Sequence, residues 1–164
     1  MRRRHLRGVM AIERQVYARP WSPNLFVSEM TEQSNRCYLV AKADKVVVGY
    51  GGLICYGDEA HVTNIAVDPQ LQRLGIGTLL LHQLITNAIA MDGHAVSLEV
   101  RVTNWGAQRM YGRFGFRPVG IRRNYYQELH EDAVVMWTDD IRTPEYARRL
   151  ASIAASMPDR VRLT

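Results

Sequence analysis

The sequence predicts an α/β (α+β) domain, a mixed, mostly antiparallel sheet with flanking helices. Three observations point there. Three β-branched runs lie close together between residues 37 and 67, parted by turn residues at Ala43-Asp44-Lys45 and around Gly57-Asp58-Glu59. The stretch "AVSLEVRV" alternates apolar and polar side chains with the period of two of a half-buried strand. Apolar residues then recur at helical spacing over 75–91, over 105–114 and from Glu145 to about Ser156.

In chain order, residues 5–17 read as a helix and "WSPNLFVSEM" as a second one. Ser22 can cap its free amides, and Pro23 sits at the first helical position, where a missing N–H is harmless. "CYLVAKADKVVVGYGGLICYGDEAHVTNIAV" supplies three consecutive antiparallel strands. In the helix over 75–91, Ile76, Leu80, Leu84, Ala88 and Met91 share a face. In the next strand Val96, Leu98, Val100 and Val102 point one way, and Ser97, Glu99 and Arg101 the other. A short helix carries Ala107, Met110, Tyr111 and Phe114, and Gly115 can end it. "RPVGIRRNYYQ" and "EDAVVMWT" form a closing hairpin, and the last helix bears Tyr146, Leu150 and Ile153. Residues 1–141 are expected to form the main domain and 142–164 a helical tail without an assigned role.

Composition bounds the partners. No apolar run approaches the ~20 residues that span a bilayer, and the basic start lacks the apolar stretch of a secretory signal. Cys37 and Cys55 are too few for a disulfide framework or a zinc pattern, so reduced thiols in a cytoplasmic protein are expected. The net charge of +5 is unevenly spread. Residues 1–19 carry six Arg against one Glu, and residues 142–164 carry five Arg against two acids. The body between holds ten basic and thirteen acidic side chains. A nucleic-acid binder displays a basic face on its fold, so direct nucleic-acid binding is not the expectation, whereas a basic peptide partner is. His130-Glu131-Asp132 could suggest a metal, but neighbours at a strand start point in different directions, and none is expected.

The chemistry-bearing stretch is "HVTNIAVDPQLQRLGIGTLL", where a strand passes into a helix through Gln72-Arg73-Leu74-Gly75-Ile76-Gly77. The first amides of a helix lack intrahelical acceptors and the helix dipole favours an anion there, while glycines admit close approach of a phosphate. This is not a P-loop, because Gly-Lys-Ser/Thr is missing. Leu80 at the third glycine position also excludes a dinucleotide fingerprint.

In order, "NIAVDP", Gln72-x-x-Gly75-x-Gly77, "LEVRVTN" and "AQRMYGRFGF" resemble the GNAT superfamily of N-acetyltransferases over roughly residues 5–140. With "RPWSPNLF", "RRNYY" and "HEDAVVM" added, the sequence is similar to the RimI-type ribosomal-protein alanine N-acetyltransferases, whose acceptor is the N-terminal amine of an alanine on a small-subunit ribosomal protein. The family fold opens with a strand ahead of the first helix. This chain begins at the helix entrance, so either that first strand is missing from the sheet or the start lies upstream.

The resemblance implies acetyl-CoA as co-substrate and direct transfer through a tetrahedral intermediate. Backbone groups of Ile65, Ala66 and Val67 would flank the acetyl-pantetheine, where a bulge splays the family's fourth strand from its fifth. Gln72 belongs to the same motif. Amides from Arg73 through Leu74, Gly75, Ile76 and Gly77 to Thr78 would hold the pyrophosphate, and Asn104 would add a contact. Glu99 would be the general base and Tyr111 the general acid for the departing thiolate. Trp21, Asn124, Tyr125 and Tyr126 would line the acceptor groove. Read without the family, Glu99 is a surface glutamate beside Arg101, Tyr111 a core aromatic, Trp21 a helix-start anchor, and the tyrosines a cross-strand pair. The same fold could instead serve a lysine, other protein N-termini or a small amine. A non-catalytic acyl-CoA sensor would be a reading of another class.

Overall fold

The computed structural model describes residues 1–31, 34–157 and 162–164. After a 3₁₀ turn at Arg3–His5 come helices α1 (Leu6–Val16) and α2 (Pro23–Thr31). Strands β1 (Arg36–Ala43), β2 (Val46–Tyr56) and β3 (Glu59–Val67) follow, then α3 (Ile76–Ala90), β4 (Ala95–Arg101) and α4 (Trp105–Arg113). The chain continues with β5 (Arg117–Tyr126), β6 (Glu131–Trp137), α5 (Pro144–Ala154) and β7 (Arg162–Leu163). Among the described residues no strand precedes α1, as expected. The expected caps form: Ser22 Oγ accepts from the Leu25 amide, and Gly115 stands in left-handed backbone at the end of α4.

The strands make a sheet of order β5-β6-β4-β3-β2-β1-β7, antiparallel except where β3 meets β4. One face carries α1 and α2 over Val9, Ile12, Phe26, Val40 and Tyr50. The other carries α3, α4 and α5 over the larger core, which includes Leu81, Leu84, Leu98, Phe114, Tyr146 and Ile153. Truncating one of its fully buried leucines to Ala would cost about 2–5 kcal/mol. Nothing in the sequence announces β7, whose two residues pair with Ala41 and Lys42 on the edge of β1.

A bulge interrupts the middle of the sheet. The β2–β3 register slips between Gly52 and Leu53, whose partners are Asn64 and Val62, leaving Thr63 as the extra residue. Gly52 is required here, since a Cβ would overlap the Tyr38 ring and lie 2.7 Å from Thr63 Oγ1. The bulge reverses which face the strand's even positions address. Ala60 and Val62 pack in the core under α3, whereas Ala66 packs under α1 and Ile65 turns toward α3.

Candidate active site

Parallel pairing of β3 with β4 lasts only from Glu59↔Ala95 through His61↔Ser97. Past the bulge β3 leaves its neighbour, and the gap opens into a cavity of about 530 Å³. The loop after α1 and the turn after β5 wall its mouth, bridged by an exposed Arg19–Glu128 ion pair at 3.4 Å. Of the residues expected at the site, this cavity gathers Trp21, Ile65, Glu99, Asn104, Tyr111, Tyr125 and Tyr126. Asn124 does not line it. Asn124 sits exposed in left-handed backbone, its amide held by Asp132 Oδ1 at 2.7 Å.

Glu99 stands where strand alternation puts it, opposite the apolar Leu98 and Val100, with its side chain 7% exposed. His61 Nε2 lies 3.2 Å from Oε2, and Arg122 Nε from β5 lies 3.0 Å from Oε1. The hydrogen bond from His61, with the charges of His61 and Arg122, holds the carboxyl below the ordinary glutamate range against the opposing effect of burial. Arg101, the expected partner, pairs instead with Glu131 at 3.8 Å.

Tyr111 projects from α4 into the cavity, buried, its ring 5.7 Å from that of Phe116. Burial raises the phenol far above the ordinary tyrosine range, so it stays protonated. Tyr125 and Tyr126 meet edge to face at 5.2 Å, and burial pushes Tyr126 up to about 12. Trp21 packs on Phe26 and gives its backbone N–H to Glu13. Asn104 caps α4 by accepting from the Ala107 amide at 3.2 Å.

Gln72 through Thr78 lie beyond the cavity, at the start of α3. Arg73 (φ 62°) and Gly75 (φ 84°) adopt left-handed backbone, which a non-glycine residue keeps at a cost of about 1–3 kcal/mol. The first intrahelical bond of α3 runs from Leu79 to Gly75 at 2.9 Å, so the amides of Ile76, Gly77 and Thr78 have no carbonyl behind them. Such a helix start fits a pyrophosphate. Ala66 and Val67 continue β3 toward this loop.

Four further residues line the cavity that were not expected there. His61 touches Glu99. Tyr17 donates to the Ile65 carbonyl at 3.3 Å. Asn64 is buried with its Nδ2 unpartnered, and Glu13, 1% exposed, keeps Oε2 unpartnered. Only Glu13 leaves a signal in the sequence: an acid inside the apolar stripe of α1, four residues after Val9. Two orphaned buried polar atoms in a half-polar cavity fit a ligand that carries both donors and acceptors.

Residues 6–116 match the acetyltransferase (GNAT) family. The chain belongs to that family. It is 39% identical over 129 residues to the ribosomal protein bS18-alanine N-acetyltransferase of Salmonella typhimurium, covering 76% of this chain and 84% of the relative. It is 39% identical over 124 residues to the N-alpha-acetyltransferase RimI of Mycobacterium tuberculosis, covering 73% and 76%. Among solved structures, the ribosomal-protein-S18-alanine N-acetyltransferase of Escherichia coli superposes with a TM-score of 0.77 at 31% identity, over 88% of this chain and 94% of the other. GNAT acetyltransferases draw their acetyl group from acetyl-CoA. The β3–β4 splay is the one the family resemblance implies between its fourth and fifth strands, displaced by one because no opening strand is present among the described residues.

Proposed function

We propose that this GNAT protein acetylates the N-terminal alanine of a ribosomal protein in the cytoplasm, bS18 being the acceptor named for its relatives. The observation that carries the reading is Glu99, an ionised carboxylate almost lost from solvent in the wall of the splay cavity that Tyr111 also lines.

The co-substrate supplies an acetyl group activated as a thioester. The free amides of Ile76, Gly77 and Thr78, with the Arg73 charge, hold its pyrophosphate. The edge of β3 unpaired beyond His61 offers backbone groups around Ile65, Ala66 and Val67 to the pantetheine end. Glu99 still has lone pairs free after His61 and Arg122 take one on each oxygen, and with these it accepts a proton from the acceptor ammonium. An α-amine of pKa near 7.7–8.0 is roughly a tenth neutral at pH 7, against under about 0.1% for a lysine, so a modest base suffices. Tyr111, kept protonated by burial, gives its hydrogen to the departing thiolate. Trp21, Tyr125 and Tyr126 flank the acceptor, and Glu13 and Glu128 on the same cavity favour a basic peptide. Raising salt from low to moderate is then expected to raise the peptide KM.

The test is acetyl transfer to two short peptides. One begins with free alanine followed by arginine-rich sequence, and the other has a blocked N-terminus and an internal lysine. Transfer to the first alone is expected; transfer to the lysine alone overturns the acceptor assignment. Tyr111→Phe is expected to lower kcat with acetyl-CoA affinity nearly unchanged, and a large loss of affinity would make the tyrosine structural.

A further inference from the structure

Four side chains run in line from the cavity wall toward the other end of the β3–β4 rung. Glu99 Oε2 lies 3.2 Å from His61 Nε2, His61 Nδ1 lies 3.0 Å from Ser97 Oγ, and Ser97 Oγ lies 3.0 Å from Glu59 Oε1. The short parallel register assembles them. His61 stands directly across from Ser97, and alternation turns Glu59 and His61 of β3 and Ser97 and Glu99 of β4 to one face. Ser97 is buried although the sequence pattern puts it among the outward polar residues, and these partners are what its hydroxyl meets there.

A serine hydroxyl has one hydrogen. Ser97 gives it to Glu59, whose ionised carboxylate can only accept, so His61 Nδ1 carries a hydrogen and donates to Ser97. At the other side of the ring a single proton lies between Nε2 and Glu99. The pair is an imidazolium beside a carboxylate or an imidazole beside a carboxylic acid, and passing that proton interconverts them.

Resting on the acetyl-transfer reading above, we infer that His61 is a positioning residue for Glu99 and that His61, Ser97 and Glu59 form the route by which the reaction's proton leaves the cavity. The balance of the reaction requires an exit. An ammonium and a thioester become an amide, a thiol and one H⁺: the C–N bond forms as the C–S bond breaks, one of two ammonium protons ends on sulfur, and the other must reach solvent. Glu99 receives it. On Oε1 its neighbour is Arg122, whose guanidinium cannot take up a proton. On Oε2 its neighbour is His61, which can. His61 is also the more open end, 29% exposed against 7% for the Glu99 side chain, and Glu59 beyond Ser97 is half-buried. The other groups facing the pair are Arg122, Tyr125 and Tyr126 from β5, Tyr17 from the end of α1 and Tyr111 from α4. None of these tyrosines loses its hydrogen near neutral pH, since burial raises them all.

The test is the pH profile of kcat/KM for the alanine peptide with wild type, His61→Ala, His61→Gln and Ser97→Ala, each with its melting curve and acetyl-CoA affinity. His61→Ala is expected to lose about tenfold in kcat at pH 7, a part of the roughly 10²–10⁴ typical of general-base catalysis. Its acidic limb is expected at higher pH, because the strongest influence lowering the Glu99 pKa is gone. Added imidazole should restore turnover. His61→Gln, which can still donate to Glu99 but cannot relay, covers the case of an unfolded alanine variant and should lose kcat with acetyl-CoA affinity intact. Ser97→Ala should lose a few-fold in kcat with the acidic limb in place. A wild-type limb in His61→Ala, or wild-type kcat in His61→Gln, overturns the route. No transfer by the wild type while acetyl-CoA still binds overturns the acceptor reading instead, so the two failures are distinguishable.

Discussion

Glu99 and Glu13 line the same cavity, both withdrawn from solvent, and their carboxyl groups are held in opposite ways. Glu99 meets His61 and Arg122 and its pKa is lowered; Glu13 meets one backbone N–H, from Trp21, and desolvation raises its pKa. Burial is shared, so the counter-charge decides. Two carboxylates whose surroundings push them apart can take different parts in one reaction, the paired one ready to accept a proton and the other kept near neutrality.

The contrast can be broken in order of effect. Glu99→Gln is expected to cut kcat about 10² or more near pH 7, with a smaller loss at high pH where the acceptor amine is already neutral. A loss equal at every pH would remove Glu99 as the base. Its melting temperature should lie below wild type at neutral pH and converge with it as pH falls through the lowered Glu99 pKa, since that stabilisation exists only while the carboxylate is charged. Arg122→Gln should move the acidic limb upward, by removing a cation, with less than about a fivefold change in kcat at pH 7. That bound is the ~1 kcal/mol of an exposed pair, and the Arg122 side chain is 59% exposed. Glu13→Gln should change kcat least, within about threefold, and shift stability in the opposite sense. Wild type loses stability as pH rises from the ordinary 4.5 through the raised Glu13 pKa, and the amide does not. Melting curves that separate upward from wild type above about pH 5 would confirm this; curves that coincide would mean Glu13 ionises freely.

Much of this arrangement is legible in the sequence because it rests on local periodicity. Alternation in "AVSLEVRV" puts Glu99 on the polar side, helical spacing puts Tyr111 on the buried stripe of α4, and the glycines after Arg73 mark a helix start with free amides. What escapes depends on register. Burial keeps alternating through β3 across the Thr63 bulge, so the string of residues gives no sign that Ala66 has changed faces. His61 and Ser97 are 36 residues apart and meet only through the brief parallel pairing of β3 with β4. A two-residue strand such as β7 is too short for any periodicity to declare it. Asn124 shows the reverse error, where a motif match named a residue whose left-handed backbone turns it to Asp132 rather than to the cavity.

The Tyr146 hydroxyl on α5 donates to the Phe114 carbonyl at 2.8 Å, just past the end of the helix that bears Tyr111. Residue 146 lies outside the 6–116 match that places the chain in its family. A chain stopped before Thr143 would retain each group assigned to the chemistry, yet strand a buried carbonyl beneath α4, at about 1–3 kcal/mol for the lost partner, and uncover Phe114. The far end of the polypeptide is therefore an anvil under the proton donor, and substitutions there should read out as slowed turnover in a protein whose motifs are all intact.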